Sequence, residues 1–208
     1  MTGQSLREQK RNFTRSRLIK AAAEIFEEKG YLAATIDDIV RASGASRATF
    51  YLHFSGKNEI ALEILEQTEQ YGVARYSALD ELLATSRSAK IRRARLRDWL
   101  ADWLGYWRRT ARLRRALDVA IATDPDIERR ALAMAPAFID SLATLLNTRP
   151  PAKRADTRNR ILLMEAMTRR VFALASTDNL PMTDEQTVDY VTEHWATILL
   201  TGPSARNP

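Results

Sequence analysis

The 208-residue sequence predicts an all-α protein with two helical domains. Only seven glycines and seven prolines are present. No useful stretch alternates between apolar and polar residues with the period of two that a half-buried strand requires. Alanine, leucine, arginine and glutamate, which favour helices, dominate the composition. We therefore expect an amino-terminal three-helix domain at residues 1–57 and a larger helical domain at residues 58–208.

The first domain divides into three predicted helices. One apolar stripe predicts a helix from about residue 14 to residue 29. Thr35 is a suitable N-cap for a short second helix, and Ser46 is one for a third helix that ends near His53. Gly44 interrupts the apolar pattern between them and predicts a tight turn.

Longer helices are predicted for the rest of the chain. We expect them at about residues 57–83, 90–111 and 113–122, then from Asp124, and finally at about 156–176 and 184–200. Asp124 followed by Pro125 suits a helix start, because the first helical position needs no N–H. Pro136 should kink or split the helix in which it lies.

The composition excludes several classes of protein. No cysteine is present, which excludes disulfides, zinc ribbons and iron–sulfur clusters, and the two histidines, His53 and His194, are far apart in sequence. We therefore expect no metal and no cofactor. No apolar run approaches the length of a membrane-spanning helix, and the first residues lack the apolar segment of a secretory signal, so we expect a cytoplasmic protein without membrane contact.

The positive charge is concentrated in blocks. The net charge is +6, and the first twenty residues hold six lysines and arginines against Glu8 alone. Such a basic amino-terminal arm, which includes Arg15 and Arg17, indicates a polyanionic partner. A solvated basic surface would give the same pattern.

Residues 35–53, T-I-D-D-I-V-R-A-S-G-A-S-R-A-T-F-Y-L-H, fit a helix-turn-helix. Phe50 and Phe54 are one turn apart and should pack inward, which leaves small residues, a threonine and a tyrosine outside and Arg47 near the helix start. A helix with such a face is shaped to enter a DNA major groove. A helical hairpin in any bundle would produce the same pattern.

The run G-Y-x-x-x-T-I-D-D-I-V-x-x-S-G-A-S-R-A-T-F-Y-x-H-F-x-G-K-x-E-I, from Gly30 to Ile60, resembles the DNA-binding domain of the TetR family of bacterial transcriptional regulators. The resemblance covers about the first sixty residues, and T-F-Y-x-H-F-x-x-K is its most specific part. Ala48 stands where the family often has glycine, and Gly56 stands where it often has serine.

The resemblance implies a double-stranded operator DNA as partner. It implies that Arg47, Ala48 and Thr49 meet base edges. It further implies phosphate contacts by Thr35, Ser46, Tyr51, His53 and Lys57. Arg15 and Arg17 of the basic arm are candidates for backbone or minor-groove contacts.

The resemblance also implies that the larger domain binds a small molecule. Within residues 90–111 one helical stripe holds Leu96, Trp99, Leu100, Trp103, Leu104 and Trp107. This stripe is either an ordinary core face or the wall of a cavity for a small apolar or amphipathic effector. Met134, Phe138, Met164, Met167 and Phe172 are candidates for the opposite walls. The segments R-R-V-F at 169–172 and H-W-x-x-I at 194–198 faintly resemble the ethionamide-repressor-like subgroup.

The last two predicted helices carry more apolar residues than packing on their own domain needs. We expect them to form the four-helix interface of a homodimer. The candidate interface residues are Ile161, Leu162, Val188, Val191, Trp195 and Ile198.

These features predict a repressor that a small ligand releases from a palindromic operator. Two alternatives stay open. The protein could regulate transcription without a ligand, with the tryptophan stripe serving only as core. It could also be a helical-bundle enzyme, although no set of nucleophile, base and orienting group can be assembled from this sequence.

Overall fold

The computed structural model describes residues 5–86, 88–134 and 136–200, and within these ranges it contains eleven α-helices and no strand. The helices are α1 (Leu6–Lys29), α2 (Ile36–Ser43), α3 (Arg47–Tyr51), α4 (Lys57–Ala84), α5 (Ala89–Arg109), α6 (Ala111–Thr123), α7 (Pro125–Met134), α8 (Ala137–Asp140), α9 (Ala143–Asn147), α10 (Pro151–Ala175) and α11 (Asp184–Leu199). The predicted all-α class is confirmed. Among these helices none is long and apolar enough to cross a membrane.

Local capping explains why several predicted helices begin where they do. Thr35 caps α2 in a capping box with Asp38. Ser46 caps α3 by accepting a hydrogen bond from the amide of Thr49. Asp124 accepts hydrogen bonds from the amides of Asp126 and Ile127 at the start of α7, as the Asp-Pro pair predicts.

The first helix begins earlier than expected, at Leu6 rather than near Thr14. Ser5 and Glu8 form a capping box that starts the helix within the basic segment. The prediction that Arg15 and Arg17 belong to an arm preceding this helix was therefore wrong. Both residues lie inside α1, and their side chains have fixed partners.

Proline determines two other boundaries. Near Pro136 the chain splits into α7 and α8, as predicted, and Ala135 lies outside the described residues. The tenth helix begins at Pro151, five residues before the predicted start near 156. Proline tolerates the first helical turn because the N–H that it lacks has no partner there.

The chain folds into two compact units. The first unit comprises residues 5–69 together with Arg112–Met134, and the second comprises residues 70–111, apart from Arg87, together with residues 136–200. In the first unit the early part of α4, with Ile60 and Ile64, shares a core with α1–α3 and with Leu117 and Ile127. This unit therefore extends past residue 57, where the sequence placed a domain boundary. The functional division at that residue stays a prediction.

The core of the second unit is rich in aromatic side chains. It holds Tyr76 of α4, the tryptophans of α5, Phe138, Phe172 and Trp195. A buried carboxylate, Glu165, accepts hydrogen bonds from the Tyr76 hydroxyl and from Arg169 within this core. The buried acid is thus hydrogen-bonded, as burial of a charge requires.

Candidate nucleic-acid interface

The turn between α2 and α3 depends on Gly44. Its φ of 65° and ψ of 21° lie in the left-handed region, which residues with a Cβ rarely adopt. The guanidinium of Arg17 donates a hydrogen bond to the carbonyl of Ser43 and would lie 3.1 Å from a Cβ at Gly44. Arg17 thereby fastens α1 to the turn.

The third helix presents the face that the sequence predicts. Phe50 and Phe54 are at most 1% exposed and pack against each other with ring centroids 5.7 Å apart. Arg47, Ala48 and Tyr51 are exposed on the opposite side. Thr49 is half-buried, and its hydroxyl lies 2.9 Å from that of Ser46.

Arg47 is held by an acid of α2. Its Nε lies 2.6 Å from one carboxylate oxygen of Asp37, and its Nη2 donates to the other oxygen at 3.1 Å. Both side chains are more than half exposed. The pairing with Asp37 thus orients the guanidinium at the protein surface.

His53 lies behind the exposed face of α3. It is half-buried, and its buried Nδ1 has no hydrogen-bond partner among the described residues. Burial, followed by the charges of Arg11 and Arg15, lowers the pKa of His53. These surroundings therefore favour the uncharged imidazole, whereas an approaching phosphate would favour the protonated form.

Lys57 faces backbone carbonyls. Its ammonium donates to the carbonyls of Tyr31 and Ala34 at 2.8 and 2.9 Å and to that of Leu32 at 3.4 Å. It also lies 4.5 Å from the centroid of the Tyr31 ring. Lys57 thus binds the loop between α1 and α2 to the start of α4. The predicted phosphate contact stays a prediction.

Arg15 is similarly engaged within the first unit. Its Nη2 donates to Glu63 of α4 at 2.8 Å, and its guanidinium lies 4.8 Å from the centroid of the Phe54 ring. The hydrogen bond to Glu63 raises the pKa of Arg15. The side chain therefore joins α1 to α4, and it differs from the free basic arm that the sequence suggested.

The tryptophan stripe lies in the core of the second unit. Its six residues, Leu96 to Trp107, are at most 7% exposed. Phe138 and Phe172 share this core, with Phe172 6.5 Å from Trp107 between ring centroids. Such close packing favours the alternative that the stripe is an ordinary core face. The indole N–H of Trp99 donates to the carbonyl of Arg75 at 3.1 Å.

Two of the predicted cavity residues do not join this cluster. Met134 belongs to the first unit and packs against the core of that unit. Met167 is 56% exposed on α10. Met164 packs at the edge of the aromatic core. The helical periodicity of a single segment could not distinguish these three methionines.

The residues predicted for the homodimer interface also divide into buried and exposed ones. Ile161, Val188, Val191 and Trp195 are buried in the core of their own unit, so they present no free surface to a second copy. Ile198 is partly buried against that core, whereas Leu162 is exposed. Within one chain these four side chains belong to the core, and the predicted homodimer interface stays a prediction.

Two residues near the predicted DNA-binding face were not identified from the sequence. Neither Asp37 nor Arg11 is among the residues predicted to contact DNA. Asp37 pairs with Arg47, and the charge of Arg11 acts on His53. Arg11 lies one helical turn before Arg15, so the spacing alone places both arginines on the same face of α1.

This arrangement defines a helix-turn-helix module whose third helix has a buried aromatic side and an exposed side led by an arginine. Residues 18–64 match the family model described as bacterial regulatory proteins, tetR family. These residues are therefore similar to the helix-turn-helix domain of the tetR family of bacterial regulatory proteins.

Two curated relatives match the same part of the chain. The HTH-type transcriptional regulator SrpR of Pseudomonas putida is 44% identical over 52 residues, which are 25% of this chain and 24% of SrpR. The HTH-type transcriptional activator FasR of Mycolicibacterium smegmatis is 40% identical over 57 residues, which are 27% of this chain and 26% of FasR. The matched segments thus span about a quarter of these relatives.

A solved structure extends the likeness in fold to the second unit. The transcriptional regulator FadR of Bacillus subtilis, in complex with stearoyl-CoA, superposes with a TM-score of 0.64. The likeness covers 88% of this chain and 97% of that chain at 14% sequence identity. At this identity the comparison describes the fold alone.

Proposed function

We propose that the protein is a homodimeric transcriptional repressor that binds a palindromic double-stranded operator through α3. The observation that carries this proposal is the exposed face of α3, with Arg47, Ala48 and Tyr51 opposite the buried Phe50 and Phe54. An arginine can pair with the O6 and N7 atoms of guanine, and a tyrosine hydroxyl can bind a phosphate oxygen. The remaining members of the proposed contact set are Thr35, Ser46, Thr49, His53 and Lys57, together with Arg15 and Arg17 of α1.

Operator binding tests this proposal. The DNA upstream of the gene that encodes the protein is to be searched for a pseudo-palindrome, because a two-fold symmetric dimer requires a symmetric site. Fluorescence anisotropy with this DNA and with random DNA of equal length should then show a preference of at least a thousandfold for the operator. Equal affinities for the two DNAs would contradict the proposal.

The proposed effector is a small apolar or amphipathic molecule that binds in the second unit. The FadR structure with stearoyl-CoA supports this proposal, since a regulator of the same fold holds a ligand with a long apolar chain. An effector that releases DNA must bind the DNA-incompetent conformation more tightly, and a coupling of about 1–3 kcal/mol is typical. The packed tryptophan stripe must then open to admit such a molecule.

The four tryptophans report on this event, because Trp99, Trp103, Trp107 and Trp195 all lie in the second unit. A screen of apolar and amphipathic compounds should find ligands that change tryptophan emission and weaken operator binding. Trp103→Phe should reduce the response to the ligand and leave operator binding intact, whereas alanine would leave a destabilising cavity.

A ligand-independent regulator is the second candidate, and the close packing of the stripe favours it. The same screen distinguishes the two candidates. If no compound changes either the emission or the operator affinity, the stripe is core alone. The effector proposal is then abandoned, while the DNA-binding proposal keeps its own test.

A further inference from the structure

A cavity of about 250 Å³ lies in the second unit, away from the side chains of the tryptophan stripe. The ends of four helices surround it. Its lining includes Asp80 and Leu83 of α4, Arg92 of α5, Leu145 of α9, Leu199 of α11, and Arg149 in the turn after α9. Two arginines therefore line a pocket whose other walls combine leucines with Asp80 and the hydroxyl side chains of Ser86, Thr144 and Thr148.

Arg92 differs from the arginines beside it in sequence. Arg93 pairs with Glu193, Arg95 donates to the hydroxyl of Ser86, and Arg97 pairs with Asp189. The guanidinium of Arg92 has no hydrogen bond, ion pair or ring contact within the described part of the chain, and its Nε is buried. A buried cationic donor without a partner is costly unless an acceptor satisfies it.

Asp80 does not supply that acceptor. Its two carboxylate oxygens accept hydrogen bonds from the amides of Thr144 and Leu145, both at 2.8 Å. The carboxylate thereby caps the start of α9, and no ion pair joins it to either arginine in the described structure. Asp80 therefore does not pair with Arg92, and the two arginines outweigh its single negative charge at the cavity.

Arg149 is fixed at the same cavity by the end of α11. Its Nη2 donates to the carbonyls of Ile198 and Leu199 at 2.8 and 3.2 Å. These bonds hold the planar guanidinium in one orientation. Because Nη2 already donates to two carbonyls, Arg149 offers an anion its positive charge and not a two-point pair.

We propose that this cavity binds a small amphipathic anion, with Arg92 and Arg149 on its carboxylate or phosphate group and Leu83, Leu145 and Leu199 on its apolar part. A volume of about 250 Å³ lies just below the range of sites for drug-sized ligands, so the ligand is small. The site is separate from the tryptophan stripe, and it does not rest on the proposed DNA-binding function.

Calorimetry on the full-length protein with four six-carbon probes tests the site. Hexanoate and hexyl phosphate represent the two anionic groups, and hexanol and hexylamine are the neutral and cationic controls. At least one anion should bind about tenfold more tightly than either control, because charge-assisted hydrogen bonds are worth that much or more. Comparison of the two anions identifies the preferred group.

Arg92→Gln should weaken binding of the preferred anion about tenfold and leave hexanol unchanged. Arg93→Gln is the matched control, because it removes a neighbouring arginine of α5 that does not line the cavity, and it should bind within about twofold of the wild type. Arg92→Lys keeps the charge and serves as the second variant if circular dichroism shows that the glutamine variant is misfolded.

Methyl NMR with labelled leucines locates the binding. The anion should shift the signals of Leu83, Leu145 and Leu199 in the wild type and shift them less in Arg92→Gln. The proposal is overturned if anions and hexanol bind equally, if no probe binds at millimolar concentration, or if the signals that move lie elsewhere in the protein. It is equally overturned if Arg92→Gln and Arg93→Gln weaken binding of the anion to the same extent.

Discussion

At the scale of single residues, two side chains proposed to touch DNA have well-defined protein partners. Asp37 holds Arg47 through both of its carboxylate oxygens, and Lys57 binds three carbonyls of the loop after α1. Exposed ion pairs contribute little to the free energy of unfolding. The pairing of Arg47 with Asp37 therefore matters for where the guanidinium points, which bears on discrimination between DNA sequences.

Arg47→Ala should weaken operator binding by roughly 1–3 kcal/mol and relax the preference at one base pair in each half-site. Asp37→Asn should also lower the ratio of operator to random-DNA affinity, because Arg47 loses the acid that orients it, while random DNA binds more tightly through the loss of a negative charge. Anisotropy titrations on operator, single-site variants and random DNA measure both effects.

The double variant supplies the control for this prediction. If Asp37 acts through Arg47, Asp37→Asn should hardly change the ratio of operator to random-DNA affinity in a protein that already carries Arg47→Ala. In that protein the side chain on which Asp37 acts is absent. Discrimination that is independent of both substitutions would show that Arg47 does not contact a base.

His53 should make operator binding depend on pH. Its pKa is lowered in the free protein by burial and by the charges of Arg11 and Arg15, and a phosphate would raise it. DNA binding should then take up a proton, so operator affinity should rise as the pH falls from about 7.5 towards about 6, close to the ordinary histidine pKa. His53→Asn should remove this rise, and His194→Asn should keep it. The same pH dependence in the His53 variant would exclude a role for the imidazole.

Protonation of His53 should lower the free energy of unfolding, whereas it should strengthen operator binding. Because the pKa of His53 is lowered in the folded state, the unfolded chain binds a proton more readily. The contribution of neutral His53 to the free energy of unfolding is present above its ordinary pKa of 6.5 and is lost as the pH falls below it. Stability and operator affinity should therefore change in opposite directions on acidification.

The sequence predicted which faces of α3 are buried but could not predict these pairings. The four-residue spacing of Phe50 and Phe54 is sufficient to place both on one helix face. The contact of Lys57 with Tyr31 joins residues 26 positions apart, and that of Arg15 with Glu63 joins residues 48 positions apart. Such pairs depend on how helices pack, which local periodicity does not contain.

At the scale of helices, capping residues located three starts, and the errors have local causes. Thr35, Ser46 and Asp124 each accept the expected hydrogen bond at an N-terminus. The start of α1 was missed because charged residues before Thr14 lack an apolar stripe, although Ser5 and Glu8 have the spacing of a capping box. A capping box can therefore mark a helix start that hydrophobic periodicity does not show.

Thr35→Ala should lower the free energy of unfolding by about 1 kcal/mol, because it removes the hydroxyl that accepts the amide of Asp38. Thr35→Ser retains that hydroxyl and should lose much less. Urea unfolding at neutral pH measures both variants. Equal losses in the two variants would mean that the methyl group, and not the cap, supplies the contribution of Thr35.

The partner acid of this cap should titrate at low pH. Hydrogen bonds from Lys29 and then from Thr35 lower the pKa of Asp38 from 3.8 to about 2. The contribution of the ionised Asp38 is therefore fully present above its ordinary pKa and is lost as the pH falls through the lowered value. The difference in unfolding free energy between the wild type and Asp38→Asn should shrink over this range. A difference that is constant with pH would contradict the assignment.

At the scale of the whole molecule, the sequence predicted two helical domains, and the chain forms two compact units of different extent. Residues 112–134 pack with the helix-turn-helix, because Ala116, Leu117, Ala120 and Ile127 face its core. Nothing in their periodicity indicates which unit they join. An apolar helix face predicts that it will be buried, whereas the identity of its partner is a property of the tertiary fold.

The apolar faces of the last two helices likewise did not indicate which residues face the core and which face a second subunit. Four of the apolar residues that the sequence assigned to the interface fill the core of the second unit instead. Leu162, Leu163 and Met167 of α10 are exposed, as is Tyr190 of α11. Exposed large apolar side chains on successive turns of one helix are typical of a subunit contact. The proposed homodimer is therefore expected to use this side of α10.

Leu163→Glu combined with Met167→Glu should convert the dimer to monomers that retain their helical content, because both side chains are exposed and charge at a subunit contact opposes association. Leu132→Glu is the matched control, since Leu132 is 69% exposed and Leu163 is 66% exposed. Sedimentation at micromolar concentration should give a dimer for the wild type and the control, and a monomer for the double variant. The monomer should also lose most of its operator affinity, because each half-site then binds one recognition helix alone. A wild-type monomer, or a double variant that still dimerises, would show that this surface of α10 is not the interface.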